Sequence, residues 1–559
     1  MGERSRTARL IQRYTPVTAV FGALCLLVAL APTRAPTREQ VSLDQAAGGV
    51  TPGVASTLPG SATDAVASET SSGGTTATAG PAGIGGGGAI EPSASGTSRA
   101  GVACGPGAVQ VPWSVYAPPC LAAFAGGNGG ATTTGVDDST ITVSYRRSDS
   151  TQDAAAFAAL GSPNFNDGSF IADLQTYINI FNRDYELYGR HVKLVDFQGR
   201  GDWLSEDQGQ NLAAAQADAA TAKDLGAFAD VQFLYKATEA YETYLATNGV
   251  MTFGAPGLPQ SFYERNAPWA YSPWPTGNKL AGWAVNTACR HLNGRPASFG
   301  GDDAIRASNR VFAILTPDTP GYTASGALME QGLAGCGATV GRRIAYSLNI
   351  PTFQTQANSI IAQLRDAHVT TVICYCDPLM PAFLTQVADQ QDYHPEWMAA
   401  TLGPTDQLLR YSQPDQWAHA ISNQGAFPSR DRSEAYKVFK LSNPSGEPQE
   451  EFYPAAYLLV LELFNGLQAA GPNLTPTSFE RGMFSLPPSG AGDFGTWTYG
   501  SGAFTPGSDT QVGWWSNTAI SEFDGRPGGW QSCNDGAFLP YALDRRDEWG
   551  APGSLRCFG

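Results

Sequence analysis

The sequence predicts an α/β protein with two lobes, each built around a parallel β-sheet. Four apolar runs begin near Arg310, Thr339, Val369 and Glu396, roughly 27 to 30 residues apart, with helical periodicity between them. This spacing is typical of repeated strand and helix units in which helices cover both faces of the sheet. Because open sheets of this kind bind ligands outside the carboxyl ends of their strands, we expect a ligand site at that edge.

An earlier series of the same kind is the reason to expect two lobes rather than one. Pro268, Pro273 and Pro275 follow this series, and they interrupt any regular element, so we place a crossing between the lobes there. The predicted elements of the first series are a strand from Thr140 to Tyr145, a helix from Ser169 to Leu187, a strand from His191, an Ala-rich helix from Ser205 to Asp224, a strand over 227–235, a helix from Thr238 to Thr247 and a strand over 249–254.

The second series begins with a helix from Leu280 to Asn293. A polar, proline-bearing stretch over 403–416 is interpreted as the return crossing. The helix from Tyr453 to Ala470 is apolar on every side, so we expect it to pack into the first lobe. The predicted bounds are 136–273 and 404–494 for lobe 1, and 274–403 and 495–559 for lobe 2.

The first 135 residues differ in composition from the rest of the 559-residue chain. Several arginines precede an apolar stretch from Val17 to Ala31, which predicts a signal peptide or an N-terminal anchor over residues 1–35. Residues 36–135 are rich in Gly, Ala, Ser and Thr, so we expect a disordered linker. The protein is therefore expected outside the cytoplasm, either secreted or tethered to the outer face of the cytoplasmic membrane.

The chain has nine cysteines, and those after Cys25 form an even set, which favours disulfides in an exported protein. Cys374 and Cys376 are left open, because a bridge between two residues on one face of a strand is strained and reduced core thiols fit equally well. The expected pairs are Cys104 with Cys120, Cys289 with Cys336, and Cys533 with Cys557.

Charge and motif content exclude several classes of function. The net charge of −16 argues against nucleic acid and anionic lipid as partners, because both require clustered cations. A membrane is expected to be contacted only through the N-terminal segment. The five histidines are scattered singly, and no phosphate-binding or nucleophile motif occurs, so we predict no metal, no cofactor and no catalytic residue.

Loops that follow the predicted strands are rich in groups suited to a small polar ligand. Thr238 lies at a helix start, where unpaired backbone N–H groups favour a carboxylate. Asp318 or Asp377, facing it across the cleft, is suited to an ammonium group. The candidate ligand-binding residues are Ser148, Tyr235, Thr238, Gly254, Ala255, Trp274, Asp318, Tyr322, Tyr375 and Asp377.

These candidates also have a purely structural interpretation. Thr238 and Asp318 are suited to cap helices, and Asp377 is suited to start one before Pro378. Tyr235 is equally suited to the hydrophobic core. The sequence leaves both interpretations open.

Several segments carry a resemblance to a known family. They are the long helix leading into YGRHVKLVDF, then FADVQFLY, RVFAILTPDTPGY, VTTVICYCDPLMPAF with WMAATLG, DQWAHA, and YLLVLELFNGLQAAG. With these segments, the chain from about Thr140 to Trp515 resembles the type I periplasmic binding proteins, specifically the substrate-binding proteins of branched-chain amino acid ABC transporters in the form common in actinobacteria.

The resemblance implies two Rossmann-like lobes joined by a multi-crossing hinge, a Venus-flytrap that closes on a ligand without chemistry. The implied partners are a small-molecule ligand and an ABC transporter permease. One departure concerns the loop after the third strand, where the family has Gly-Pro and consecutive serines for the ligand's α-carboxylate. Here the loop is Leu-Tyr-Lys-Ala-Thr, in which Thr238 alone can substitute. The aromatic residues Trp274, Tyr322 and Tyr375 suit a larger or flatter molecule equally well.

Three functional hypotheses follow. The first is an exported solute-binding protein that captures an amino acid or related compound for an ABC transporter and is not an enzyme. The second keeps the same fold but makes it an extracellular ligand sensor or orphan binding module. The third is a secreted hydrolase, which requires a nucleophile and a base to converge.

Overall fold

The computed structural model describes residues 93–148, 153–154, 157–158, 164–400, 406–418, 420–424, 430–521, 524–540 and 555–557. The predicted signal peptide or anchor, residues 1–35, lies outside the described residues. So do residues 36–92 of the predicted linker. None of the helices in the described part of the chain has the length and apolar composition needed to span a bilayer.

The first sheet contains five parallel strands in the order β2-β1-β3-β4-β5. The predicted strands are present, and the short β5 adds a strand inside the segment interpreted as a crossing. The strands are β1 (Thr140–Arg147), β2 (His191–Gln198), β3 (Ala229–Val231), β4 (Met251–Phe253) and β5 (Ala270–Tyr271).

Helices connect these strands, and one differs from its prediction. The Ala-rich helix predicted from Ser205 to Asp224 is two helices, because Gly209 and Asn211 adopt positive φ angles of 70° and 52° that break the helix between them. The helices are α1 (Asp167–Asp184), α2 (Trp203–Asp207), α3 (Leu212–Asp224), α4 (Glu239–Thr247) and α5 (Gln260–Arg265).

The second sheet confirms the repeated units from which the fold class was predicted. Five parallel strands run in the order β7-β6-β8-β9-β10. They are β6 (Phe312–Pro317), β7 (Val340–Tyr346), β8 (Thr371–Cys374), β9 (Glu396–Ala399) and β10 (Ile421–Gln424). The associated helices are α6 (Gly277–Thr287), α7 (Asp303–Arg306), α8 (Pro320–Ala334), α9 (Phe353–Asp366) and α10 (Met380–Gln390).

The expected return crossing at 403–416 differs from the structure. Two short helices, α11 (Asp406–Tyr411) and α12 (Pro414–Trp417), lie in this stretch, and β10 after them still pairs with β9. The chain therefore remains in the second lobe until Gln424. A polar sequence with prolines is compatible with a pair of short helices as well as with a crossing between lobes.

The chain then forms α13 (Glu434–Ser442), α14 (Tyr453–Ala470) and α15 (Pro476–Ser485). As predicted, α14 packs against the first lobe, where Tyr185 donates a hydrogen bond to Asn465 at 3.1 Å. A hairpin of β11 (Ser489–Gly492) and β12 (Gly495–Trp497) follows. Antiparallel β13 (Asp509–Ile520), β14 (Pro527–Ser532) and β15 (Phe538–Pro540) extend the second sheet.

The C-terminal part of the expected linker is packed rather than disordered. The Trp113 ring lies 5.0 Å from the Phe181 ring of α1, and Val111 is fully buried. Residues 109–121 contain large apolar side chains that the preceding residues lack, which explains why this part can pay the entropy of ordering. Residues 93–135 thus form part of the folded protein.

The cysteine pairs predicted from sequence lie at disulfide distance. They are Cys104 with Cys120, Cys289 with Cys336, and Cys533 with Cys557. Cys374 and Cys376, which the sequence left open, are also joined. The strand β8 ends at Cys374, so the strand geometry that argued against this bridge does not extend to Cys376.

A buried ion pair joins two strands at the amino end of the second sheet. Arg310 donates to both carboxylate oxygens of Glu396 at 2.8 Å. Thr371 donates to the same carboxylate at 2.5 Å, and the Phe299 N–H does so at 2.9 Å. Because further hydrogen bonds satisfy both partners, the pair tolerates burial that an isolated charge does not.

We expect Arg310→Met to lower the free energy of unfolding by about 3 to 5 kcal/mol, because Glu396 is then buried without its counter-charge. Arg343→Met is the control: it removes an ion pair with Glu330 that is more than two-fifths exposed on both sides, which should cost less than about 1 kcal/mol. Urea unfolding measures both. Equal losses in the two variants would show that the buried pair has no special role.

Candidate functional site

A cavity of about 870 Å³ lies between loops of the two lobes. Its wall comes from the loops after β2, β3 and β4 in the first lobe and after β6, β7 and β8 in the second. The lining stretches lie within 203–212, 234–244, 256–259, 318–322, 347–353 and 377–379. This is the carboxyl edge of both sheets, where the strand spacing predicted a ligand site.

Sheet topology explains the location. In the order β2-β1-β3-β4, the connection after β1 leads to β2 on one side, while the connection after β3 leads to β4 on the other. The order β7-β6-β8-β9 repeats this arrangement in the second lobe. Loops that diverge in this way leave a crevice at the carboxyl ends of the strands. The two crevices face one another across the cavity.

Five of the predicted ligand-binding residues line the cavity. Tyr235 and Thr238 contribute from the loop after β3, while Asp318 and Tyr322 contribute from the loop after β6. Asp377 contributes from the loop after β8. The structure thus brings residues distant in sequence to one space from both lobes.

Ser148 and Trp274 do not belong to the lining. The Ser148 N–H donates to Asp167 at 2.8 Å, and its hydroxyl donates to Asp153, so the residue belongs to a buried polar cluster. Trp274 is buried in the hydrophobic core. Both follow strand ends in sequence, but packing turns them away from the cavity.

Gly254, Ala255 and Tyr375 also lie behind the wall. A side chain at Gly254 would meet Ala237 at 2.7 Å, so this glycine permits close packing of two loops. The Ala255 N–H donates to Glu242 at 2.9 Å. Buried Tyr375 donates to the Gly257 carbonyl at 2.8 Å, and this bond connects the loop after β8 to the loop after β4.

Thr238 is occupied by structural bonds. Its hydroxyl accepts the Tyr241 N–H at 3.2 Å as the cap of α4, as the structural interpretation predicted. The same hydroxyl donates to Glu206 at 2.5 Å. Since Thr238 is also 3% exposed, little of it is available to a ligand carboxylate.

The two aspartates of the second lobe differ in their surroundings. Asp377 accepts from the Tyr346 hydroxyl at 2.6 Å and from the Leu379 and Met380 N–H groups at 2.8 and 3.2 Å. Burial raises the pKa of Asp377, and these hydrogen bonds oppose the rise. Asp318 is exposed to the cavity, and no hydrogen bond to its carboxylate is found within the described residues.

Tyr322 presents an aromatic surface that Tyr375 supports from behind. The two ring centroids are 4.9 Å apart with planes at 37°. In the first lobe, the rings of Trp203 and Tyr235 lie 5.9 Å apart and form a second aromatic surface of the wall. Contacts of this kind between aromatic rings stabilise the two surfaces.

Sequence reasoning missed the loops after β2 and β7. The first supplies Trp203 and Asp207, and the second supplies Asn349 and Phe353. The rule that ligand loops follow the carboxyl ends of parallel strands applies to every strand of the sheet. Applied to β2 and β7 as well, it would have included these residues.

Asp207 is the most perturbed acid of the lining. Asp207 is exposed to the cavity, but desolvation by the surrounding wall, together with the negative charges of Glu206, Asp377 and Glu239, raises its pKa to about 8. Asp377 belongs to the opposite lobe. The two carboxyl groups therefore repel each other across the cavity when both are ionised.

One group of side chains in the described residues has donor atoms close enough to hold a metal ion. Asp302, Asp392 and His394 place one donor atom each within 4.8 Å of the others. Asp302 already bonds to the His394 ring at 3.0 Å, and none of the three lines the cavity. Exposed acidic groups of this type occur commonly without an ion.

Comparisons with known proteins agree with this architecture. A family model described as periplasmic binding protein matches residues 175–513, which is more than half of the chain. None of the curated proteins compared matches the sequence.

Solved structures show a similar fold. The leucine-, isoleucine-, valine-, threonine- and alanine-binding protein of Brucella ovis, in its closed conformation, has 12% identity and a TM-score of 0.53, covering 75% of this chain and 98% of its own. A solute-binding protein from R. palustris in complex with 4-hydroxybenzoate has 12% identity and a TM-score of 0.50, covering 70% and 95%. A fatty acid ABC transporter substrate-binding protein from Thermomonospora curvata has 12% identity and a TM-score of 0.50, covering 75% and 97%.

We expect the stability of the protein to depend on pH through Asp207. Its pKa of about 8 in the folded state lies above the value of about 3.9 for an unfolded chain. As the pH rises between these values, the unfolded chain releases a proton that the folded protein retains, so the free energy of unfolding falls. Asp207→Asn should therefore gain melting temperature relative to the unsubstituted protein at pH 9 but not at pH 4.

Thermal melts at the two pH values measure this difference. Asp224→Asn, an exposed carboxylate at the end of α3 that is not part of the lining, controls for the loss of one surface charge. A gain for Asp207→Asn that is the same at both pH values would contradict the assignment.

Proposed function

Because the chain belongs to the periplasmic binding protein family, we propose that it is an extracytoplasmic solute-binding protein that delivers its solute to an ABC transporter. The solute is a small polar molecule, an amino acid or a related compound. The protein binds this molecule between its lobes and leaves its covalent bonds unchanged.

The observation that supports this proposal best is the cavity between the carboxyl edges of the two sheets. At about 870 Å³ it has the size of a pocket for a small organic molecule. Both lobes contribute polar and aromatic side chains to its wall. A ligand held by both lobes favours their approach, because it gains contacts on two sides only when the lobes close.

The energetic requirement is modest. Capture at micromolar concentration needs about −8 kcal/mol, which a desolvated polar ligand with a few anchoring contacts can supply. The bond from Tyr375 to Gly257 already joins the loops of the two lobes beside the cavity. We propose that the segments crossing between the lobes bend as a hinge around this point.

A ligand sensor with the same fold is the second candidate. The sequence of the N-terminal segment favours it, because an anchor followed by a long spacer holds a binding module at the outer face of the membrane. Association with a signalling protein rather than a permease distinguishes the sensor from the transporter component.

Catalysis finds little support in the wall of the cavity. No histidine or lysine occurs among the described residues that line it. The hydroxyl of Thr238 is already bonded to Glu206. A hydrolase would need a nucleophile paired with a base, and the carboxylate of Glu206 is already ion-paired with Arg146.

We expect a cognate solute at 100 times its Kd to stabilise the protein by about 2.7 kcal/mol. A thermal-shift panel of amino acids, amides, amines, sugars and aromatic acids should reveal it. Asp318→Ala and Tyr322→Ala should abolish the shift, because both residues line the cavity, while the ligand-free melting temperature should change little.

Asp224→Ala is the control variant, because Asp224 is exposed at the end of α3 and lies outside the cavity. Chromatography of the bound compound after incubation should recover it unchanged. Full binding by both cavity variants would remove the cavity as the binding site, and conversion of the compound would show an enzyme instead.

A further inference from the structure

We propose that the cavity takes an organic cation, a compound in which an ammonium group is attached to an apolar or aromatic body. This inference rests on the proposed function, because it assigns the chemical class of the solute. The cavity identifies the site, and the charges of its wall indicate the charge of the molecule that fits it.

The wall is acidic. Among the residues that the structure describes there, five are carboxylic acids and none is lysine, arginine or histidine. The acids are Glu206, Asp207, Glu239, Asp318 and Asp377. An anionic solute would therefore be desolvated against like charges, whereas a cation gains attraction on entry.

Two cations beside the wall, Arg146 and Lys236, are already held in buried ion pairs. Arg146 is fully buried and binds both oxygens of Glu206, at 2.7 and 3.2 Å. The ammonium group of Lys236 lies 2.7 Å from both oxygens of Asp167 and 3.3 Å from the Ser148 carbonyl. Residues 149–163, the sequence after β1, contain no lysine or arginine.

The ion pairs also show which carboxyl groups of the wall are free to bind a cationic solute. Arg146 neutralises Glu206, and Arg265 lies 3.6 Å from Glu239. Asp207, Asp318 and Asp377 pair with no cation in the described part of the chain. Three carboxyl groups are thus left for the solute, although Asp377 also holds structural hydrogen bonds.

These three groups come from both lobes. Asp207 belongs to the first lobe and Asp318 and Asp377 to the second, and the charge of Asp377 reaches both Asp207 and Tyr235 of the first lobe. Without a solute, Asp207 keeps its proton near neutral pH, which relieves the repulsion between the lobes. A cation between these carboxyl groups favours their ionised forms and attracts both lobes, so binding and closure favour each other.

Aromatic rings complete the arrangement. Tyr322, Tyr235 and Trp203 line the cavity, and the faces of such rings attract ammonium groups. The Trp203 side chain is only 3% exposed, so Tyr322 and Tyr235 offer most of this aromatic surface to a solute.

Two sets of three compounds test the charge while holding the skeleton constant. Leucine, 3-methylbutylamine and 4-methylpentanoate differ only by loss of the carboxylate or of the ammonium group. Tyrosine, tyramine and 3-(4-hydroxyphenyl)propionate repeat the comparison on a phenol skeleton. Isothermal titration calorimetry of the full-length protein at pH 7 measures the affinity of each compound.

We expect the amine of at least one set to bind most tightly, the amino acid more weakly and the acid not at all. Asp318→Asn should weaken the binding of that amine about tenfold, which corresponds to about 1.4 kcal/mol. The variant preserves shape, and the Asp318 carboxylate holds no hydrogen bond among the described residues, so the fold should be retained. Asp224→Asn should bind the amine normally, and added salt should weaken binding in the unsubstituted protein.

Three results would overturn the inference, and they can be distinguished from one another. If an acid or amino acid binds more tightly than its amine and Tyr322→Ala abolishes that binding, the cation assignment is wrong while solute capture stands. If all six compounds fail to bind, the cation assignment is again wrong, and the broader thermal-shift panel then decides whether solute capture fails with it. Unchanged amine binding by Asp318→Asn would also contradict the assignment.

Discussion

The buried guanidinium group of Arg146 is the constraint on which the wall of the cavity depends. It binds Glu206 in α2 and the carbonyl of Lys236 after β3, and it lies 3.7 Å from the ring centroid of Tyr241 in α4. One side chain at the end of β1 therefore holds the segments that follow β2 and β3, the two strands on either side of β1. A charge can be buried there because these partners satisfy it, and its loss would leave Glu206 uncompensated.

This arrangement has a consequence for binding. Arg146 binds the carboxylate of Glu206 in the wall, so its positive charge is not available to the solute. Lys236 is bound by Asp167 in the same way. Structural stability and ligand charge are thus linked, because the bonds that order the loops also leave the cavity negative. Asp318 and Asp377 extend the same sign across the second lobe. Family membership supports solute binding, whereas our proposal on the kind of solute rests on this charge distribution.

Sequence reasoning succeeded where the signal was periodic and local. The strands β6 to β9 follow from the spacing of apolar runs, and α14 follows from its apolar composition. It failed where one or two residues decide the backbone, as at Gly209 and Asn211, which divide the Ala-rich helix. It also failed for residues 93–135, because overall composition concealed a short apolar stretch that packs on the first lobe.

The amino-acid sequence by itself determined the α/β class, the strand order along the chain and the edge at which a ligand site lies, because these depend on periodicity and on the general behaviour of parallel sheets. Tertiary structure alone decided which loop residues face the cavity. Thr238 and Tyr375 are occupied by internal bonds, while Asp207 and Trp203 reach the wall from the short helix α2, which the sequence did not indicate as part of the site. The physical reason is that hydrogen bonds between residues distant in sequence choose which polar groups are buried and which remain free.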